Sequence, residues 1–199
     1  MLVLVRHGET EGNAAGQLLG RHDSPLTARG RSDAASLTGA LGPVSRIVSS
    51  PLSRARQSAE ALGLGVPIEV DDRWIEVDYG ELEGRALEAV PAELWSRWRV
   101  DPTFRPPGGE SLAEVGVRVR GACDELFARA GEAARGRADV VVVSHVSPIK
   151  AAVAWALGVG DEVVWRLYLA TSSITRIGWR NDSPVLHGYN QTIGSRPAP

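Results

Sequence analysis

Val3-Leu4-Val5-Arg6-His7-Gly8-Glu9-Thr10 is the stretch whose reading decides the fold. A short apolar run that stops at charged residues and a glycine reads as a buried strand. The strand delivers Arg6 and His7 to the edge of a sheet, where α/β proteins bind their ligands. Gly8 lets the backbone turn sharply and approach a ligand closely. A histidine can attack phosphorus or hold a metal, and the arginine beside it can clamp an anion.

Outward from this run, strand and helix patterns alternate, as expected of a three-layer α/β/α sandwich with a mixed, mostly parallel central sheet. Residues 2–6 read as the first strand, and Thr27 N-caps a helix over 28–41. Ile47–Ser49 is a second strand. Ser50-Pro51 then reads as an N-cap followed by proline at the first helical position, starting a helix that runs to 62. Residues 67–70 and 73–79 read as short extended segments, and 86–108 as irregular or weakly helical. Ser111 and Glu114 form a capping box that opens an amphipathic helix to 133. Val140–Ser144 is a near-continuous apolar strand of the kind buried on both faces. A helix over 148–157 follows, then a closing hairpin of 172–179 and 185–189 around Asn181-Asp182.

The 199 residues suit one domain spanning 1–199, with 195–199 a loose tail. The net charge of −2 gives no bulk attraction for nucleic acid or an acidic membrane, so any anion binding must be local. Of the 22 basic residues only Lys150 is a lysine, which reads as coding bias rather than a demand for guanidinium. The single cysteine, Cys123, excludes an internal disulfide. No apolar run reaches a membrane span, and no signal-peptide pattern precedes the first strand. These points lead to the expectation of a cytoplasmic protein.

Four places carry chemistry. Arg6-His7 is the first. At the second, Ser49 to Arg54, a strand ends and a helix begins with an arginine in its first turn, which sharpens the anion preference of a helix N-terminus. At the third, the Val140 strand ends in Ser144-His145. The fourth is the acidic run from Trp74 to Gly84, with Glu76, Asp78, Glu81 and Glu83. If both histidine-bearing strands are parallel and central, His7 and His145 share the carboxyl edge of the sheet with Arg54. Two histidines and two arginines then make a dianion pocket that needs no metal, and one neighbouring carboxylate supplies a proton donor.

These residues carry a resemblance. The motifs are Arg6-His7-Gly8-Glu9-Thr10, Ser50-Pro51-Leu52-x-Arg54-Ala55, Glu76 in its x-Glu-x-x-Tyr-Gly-x-x-Glu-Gly setting, Pro107-Gly108-Gly109-Glu110-Ser111 and Ser144-His145. In that order they resemble the histidine phosphatase superfamily, in its phosphoglycerate-mutase-like branch. The resemblance implies His7 as a nucleophile that becomes phosphohistidine, and Glu76 as the acid that protonates the leaving oxygen. Arg6, Arg54 and His145 would hold the phosphoryl group, with Asn13 lining its pocket. Glu81 is the lesser candidate for the acid, and Asp78 and Glu83 read as structural. No cofactor is implied; the partner is a small phosphate ester, and homodimerisation comes with the resemblance. Val146 departs from the glycine that many relatives place after the histidine. Val146-Ser147-Pro148-Ile149-Lys150 resembles a subgroup near the α-ribazole phosphatases.

Other chemistries fit less well. Cys123 and Arg129 have the spacing of cysteine phosphatases, but they sit mid-helix without glycines to form an amide cradle. Asp71-Asp72 lacks the Asp-x-Asp arrangement of aspartyl phosphatases. Four scattered histidines lack zinc-ligand spacing, and no P-loop is present. The resemblance leaves phosphomonoesterase, phosphoglycerate mutase and non-catalytic phospholigand binding as readings. Mutases of this family carry a long insertion between the acid and the Gly-Glu-Ser turn, whereas Glu76 and Glu110 are 34 positions apart here. The short 85–108 lid favours hydrolysis. Its Arg85, Arg97, Arg99 and Arg105 could greet a second acidic group and Trp95 and Trp98 a ring or sugar, though lid packing and surface charge explain both. His22 reads as a possible substrate contact, His187 as structural, and Trp155 and Trp165 as core.

Overall fold

The computed structural model describes residues 1–133, 138–181 and 183–193, without the side chains of 129–133. The tail expected at 195–199, Asp182 of the expected turn and the Arg129 side chain lie outside the described residues. The strands are β1 (Leu2–Arg6), β2 (Val44–Ser49), β3 (Ile68–Val70), β4 (Asp139–Ser144), β5 (Ser173–Arg180) and β6 (Ser183–Thr192). They form one sheet in the order β3-β2-β4-β1-β5-β6. β3, β2, β4 and β1 are mutually parallel, while β5 runs antiparallel to β1 and β6 antiparallel to β5. The helices are α1 (Glu11–Ala14), α2 (Ala28–Ser36), α3 (Ser53–Ala61), α4 (Ala92–Val100), α5 (Leu112–Ala133) and α6 (Val146–Leu157).

The period-2 alternation of a strand sends successive side chains to opposite faces, so a strand apolar at every position must be covered on both. β1 behaves this way. Leu2 and Leu4 join a cluster with Val48, Val142 and residues of α5 and α6. Val3 and Val5 join Ile47, Val141, Val143 and residues of α3 on the other face. Each fully buried Val or Leu contributes about 1.5–3 kcal/mol. A third cluster of Leu18, Leu82, Val90, Trp98, Phe104, Leu112 and Val164 gathers the 85–108 segment.

The structure corrects several boundaries. The helix expected over 28–41 stops at Ser36 and continues as a 3-10 turn over Leu37–Ala40. The Thr38 hydroxyl donates to Ala35 O and Leu62 O, tying this turn to the end of α3. Ser50-Pro51 does not cap α3, which starts at Ser53 with Leu52 at the N-cap. Ser50 instead prolongs the sheet, donating its N–H to Val143 O, and the Asp23 carboxylate accepts the Ser53 N–H at 3.0 and 3.1 Å. Residues 72–74 form a 3-10 turn capped by Asp71 where an extended segment was expected. Helix α4 and a 3-10 turn at Leu87–Ala89 order the 86–108 stretch. α6 starts at Val146, two residues before the expected position.

Candidate active site

In β1 and β4, Arg6 is the register partner of Ser144, so the next residue of each strand leaves the sheet side by side. His7 and His145 have ring centroids 5.0 Å apart, and the His7 N–H donates to Ser144 O at 3.0 Å. Their hydrogen-bond partners assign opposite tautomers. His7 Nδ1 is 2.7 Å from Gly8 O, a carbonyl that can only accept, so the proton is on Nδ1 and the Nε2 lone pair is free. His145 Nδ1 accepts from Arg54 Nε at 3.2 Å, so its Nε2 carries the proton and donates to Ser50 Oγ at 2.7 Å. Burial, then Arg6 and Arg54, hold His7 well below the ordinary histidine range. Burial, then Arg54, does the same to His145. For both histidines burial is the larger cause, ahead of the neighbouring arginines.

Arg54, in the first turn of α3 as expected, is 1% exposed. Besides His145, it donates from Nη1 to His22 O at 2.8 Å and from Nη2 to Gly20 O at 2.6 Å. Arg6 donates from Nη1 to Leu169 O at 2.6 Å, and its buried Nε has no partner. That orphan donor is free for a ligand oxygen.

Glu76 is 4% exposed and sits where α6 begins. Its Oε1 accepts from Val77 N at 2.8 Å and Ser147 N at 3.1 Å, and its Oε2 accepts from Val146 N at 3.1 Å. The carboxylate therefore caps the helix that begins beside His145. Glu81 is exposed and engages through its backbone, donating to Pro107 O. Asn13 is half-buried; its Oδ1 accepts from Thr10 N and Thr10 Oγ1, closing a capping box on α1. The expected constellation of His7, Arg6, Arg54, His145 and Glu76 is thus one locus, while the side-chain bonds of Asn13 in α1 are to Thr10.

Three further residues shape the locus. Glu83 accepts from Arg21 N (2.8 Å) and Tyr79 N (3.0 Å) on Oε1, and from His22 N (2.7 Å) on Oε2. The 20–22 loop is thus held by its amides on Glu83 and by its carbonyls on Arg54. A Cβ on Gly20 would come 2.0 Å from Glu83 Oε1. Glu83, read as structural from the sequence, makes its bonds to backbone amides; the segments it joins are not specified by the sequence. Ser58 Oγ accepts from Gly8 N at 2.9 Å and donates to Arg54 O at 2.7 Å, joining the turn after β1 to α3. Gly8 serves the fold: a Cβ there would lie 2.1 Å from Gly30 O of α2. His22 enters through its backbone while its ring is exposed, and His187 is exposed on β6.

The locus offers an unprotonated imidazole nitrogen, two guanidinium groups and a buried carboxylate, the set that phosphoryl transfer requires. A family model described as the histidine phosphatase superfamily (branch 1) matches residues 2–192. A bifunctional protein of Mycobacterium tuberculosis is 38% identical over 183 residues, covering 87% of this chain and 49% of that protein. The chain thus spans about half the length of the curated relatives of this kind. A probable phosphoglycerate mutase of Salmonella newport is 36% identical over 195 residues, covering 94% of this chain and 88% of the relative. The solved structure of a mycobacterial glucosyl-3-phosphoglycerate phosphatase with VO3 superposes with a TM-score of 0.83 at 33% identity, covering 96% of this chain and 98% of that one. The chain belongs to the histidine phosphatase superfamily, branch 1.

Proposed function

We propose that this chain, as a single domain, is a phosphomonoesterase that hydrolyses a small phosphorylated metabolite through a phosphohistidine at His7. The observation that carries the reading is the Nδ1–H of His7 donating to Gly8 O, which leaves Nε2 as the unprotonated nucleophile. Nε2 attacks phosphorus, the ester P–O bond breaks, and the leaving oxygen takes a proton held by Glu76. Water then attacks the phosphohistidine, gives its proton to Glu76, and releases phosphate with Nε2 restored. Arg6 and Arg54 neutralise the phosphoryl oxygens throughout, with His145 and Asn13 as further contacts, so the charge balance needs no metal or cofactor. Orthophosphate release over mutase turnover is the outcome the short 85–108 segment favours; its Arg97 and Arg105 engage Phe104 and Glu114, and its tryptophans pack on each other. The related phosphatase is consistent with this choice. The partner in this reading is a small phosphate ester, a net charge of −2 gives no bulk attraction for nucleic acid or an acidic membrane, and a cytoplasmic location is part of the proposal. Among the described residues no helix is long and apolar enough to cross a membrane.

The test is single-turnover trapping with a labelled phosphate ester. An acid-labile, alkali-stable phosphoenzyme is expected in the native protein and none in His7→Ala, whose turnover falls on the order of 10⁴-fold or more. Unchanged turnover in His7→Ala would sink the mechanism. Isomerisation of 3-phosphoglycerate faster than hydrolysis of any ester would replace it with the mutase reading.

A further inference from the structure

The Pro107-Gly108-Gly109-Glu110-Ser111 turn is the one motif of the sequence that the chemistry above leaves without a role. Glu76, the proton donor of that chemistry, lies in irregular chain between the 3-10 turn ending at Trp74 and another over Gly80–Leu82. No strand ladder or helix therefore fixes its backbone. Its carboxylate is held by the first amides of α6. Its main chain is held from the glycine turn and from α5.

Glu110 accepts from Arg118 of α5 in a fork, Nε to Oε1 at 2.9 Å and Nη2 to Oε2 at 3.0 Å. The rest of the guanidinium meets carbonyls. Nη1 donates to Arg73 O at 2.6 Å, and Nη2 also reaches Glu76 O at 3.3 Å. The two side chains are only 16% and 13% exposed, so water and salt screen the pair little. Around it the two segments meet backbone to backbone. Glu110 N donates to Asp78 O, and Glu81 N to Pro107 O, each at 2.9 Å. A Cβ on Gly109 would lie 2.5 Å from Asp78 O, and one on Gly80 2.1 Å from Pro107 O. Arg21 joins the same carboxylate, with Nη2 3.4 Å from Glu110 Oε2, and its neighbours Gly20 and His22 give their carbonyls to Arg54.

Resting on the phosphomonoesterase reading, we propose that Glu110 and Arg118 are positioning residues for proton donation by Glu76. A planar guanidinium with one edge set on a carboxylate has the direction of its other donors set as well. Here those donors meet the carbonyls of Arg73 and Glu76, which fixes the point from which the Glu76 side chain departs. The α6 amides fix where that side chain ends. A carboxyl held at both ends stays on the leaving oxygen, and one displaced by an ångström forfeits much of its effect. The loss falls on esters whose alcohol needs the proton and spares those whose anion leaves unaided.

Benzyl phosphate, whose alkoxide must be protonated to leave, and 4-nitrophenyl phosphate, whose phenolate leaves without help, form the test pair. The readout is the benzyl-to-nitrophenyl ratio of kcat/KM, which reports P–O cleavage and not the later hydrolysis of the phosphohistidine. Glu76→Gln sets the scale and should lower the ratio on the order of 100-fold. Arg118→Met and Glu110→Gln should each lower it ~10-fold or more. Arg118→Lys keeps the charge without the fork and should recover little; full recovery would reduce Arg118 to a charge and overturn the clamp. Arg118 is also among the charges acting on His145, an effect both esters would feel alike. Arg120→Ala breaks the 2.8 Å ion pair of α5 with Asp161 and should leave the ratio within ~2-fold. A fall there as large as in Arg118→Met would assign the effect to the stability of α5 and overturn the proposal. A selective fall in Glu76→Gln with equal losses on both esters in Arg118→Met and Glu110→Gln overturns the clamp and leaves the phosphomonoesterase reading standing. No selectivity in Glu76→Gln overturns the acid assignment and the clamp with it. Should Arg118→Met not fold, Glu110→Gln carries the same expectation.

Discussion

At the carboxyl edge of the sheet, Arg54 divides its three nitrogens among His145, His22 O and Gly20 O. In the 85–108 segment, Trp98 meets Tyr79, Trp95, Phe104 and Trp165 with ring centroids 5.3 to 6.1 Å apart. The first region is specified by directional bonds between buried polar groups. The second is specified by area and ring geometry, which tolerate small displacements. The arginines expected to greet a substrate partly belong to the second pattern. Arg97 lies over the Phe104 ring at 4.5 Å, and Arg105 pairs with Glu114 at 2.6 Å. The proposed phosphoryl transfer needs the first kind of order, because a shift of one ångström misaligns transfer. The 85–108 segment needs only to stay docked.

The largest effect separating the two regions is expected from Trp98→Ala. Removing a side chain that is 1% exposed should cost about 3–5 kcal/mol of stability, measured by urea unfolding. Turnover of a small aryl phosphate by the folded fraction should stay within ~3-fold. A collapse of turnover at unchanged stability would break the comparison. Arg54→Lys should act the other way. It keeps the charge but loses the fork, with kcat/KM falling about 100–1,000-fold, roughly 3–4 kcal/mol. Its stability cost, about 1–3 kcal/mol for the carbonyls of Gly20 and His22, should be the smaller share.

The gentlest test uses pH. His7 and His145 are held neutral in the native protein, well below the ordinary value near 6.5. Below that value the unfolded chain binds protons that the native chain refuses, so stability falls as pH falls. The melting temperature should drop from pH 7 to pH 5, and the drop should shrink in His145→Gln. A slope of the same size in the variant would remove His145 from the account.

Legibility followed the distance over which each feature is determined. β1 and β4 were readable because their burial is written in their own apolar runs, and the Ser111–Glu114 box because both partners lie within one turn. The starts of α3 and α6 were not readable. Their caps arrive from elsewhere in the chain, Asp23 for Ser53 and Glu76 for Val146 and Ser147. The convergence of Arg6, His7, Arg54 and His145 was legible, since each ends a strand or opens a helix, whereas Glu76 lies in irregular chain. Its tautomers were not, because they depend on Gly8 O and Ser50 Oγ. The backbone partners of Glu83 and the Gly8–Gly30 approach escaped for the same reason: each joins segments that only the folded chain brings together.

The position of β1 in the sheet has a consequence for biosynthesis. Its hydrogen-bonded neighbours are β4 and β5, which begin at Asp139 and Ser173. At typical elongation rates, β1 spends on the order of ten seconds outside the ribosome without either partner. During that interval Leu2–Val5 is an unpaired apolar edge, the kind of segment that chaperones bind and aggregates recruit. His7 is therefore made well before its ring neighbour His145, which follows β4. Any nascent fragment that ends before β4 carries His7 without its neighbour His145.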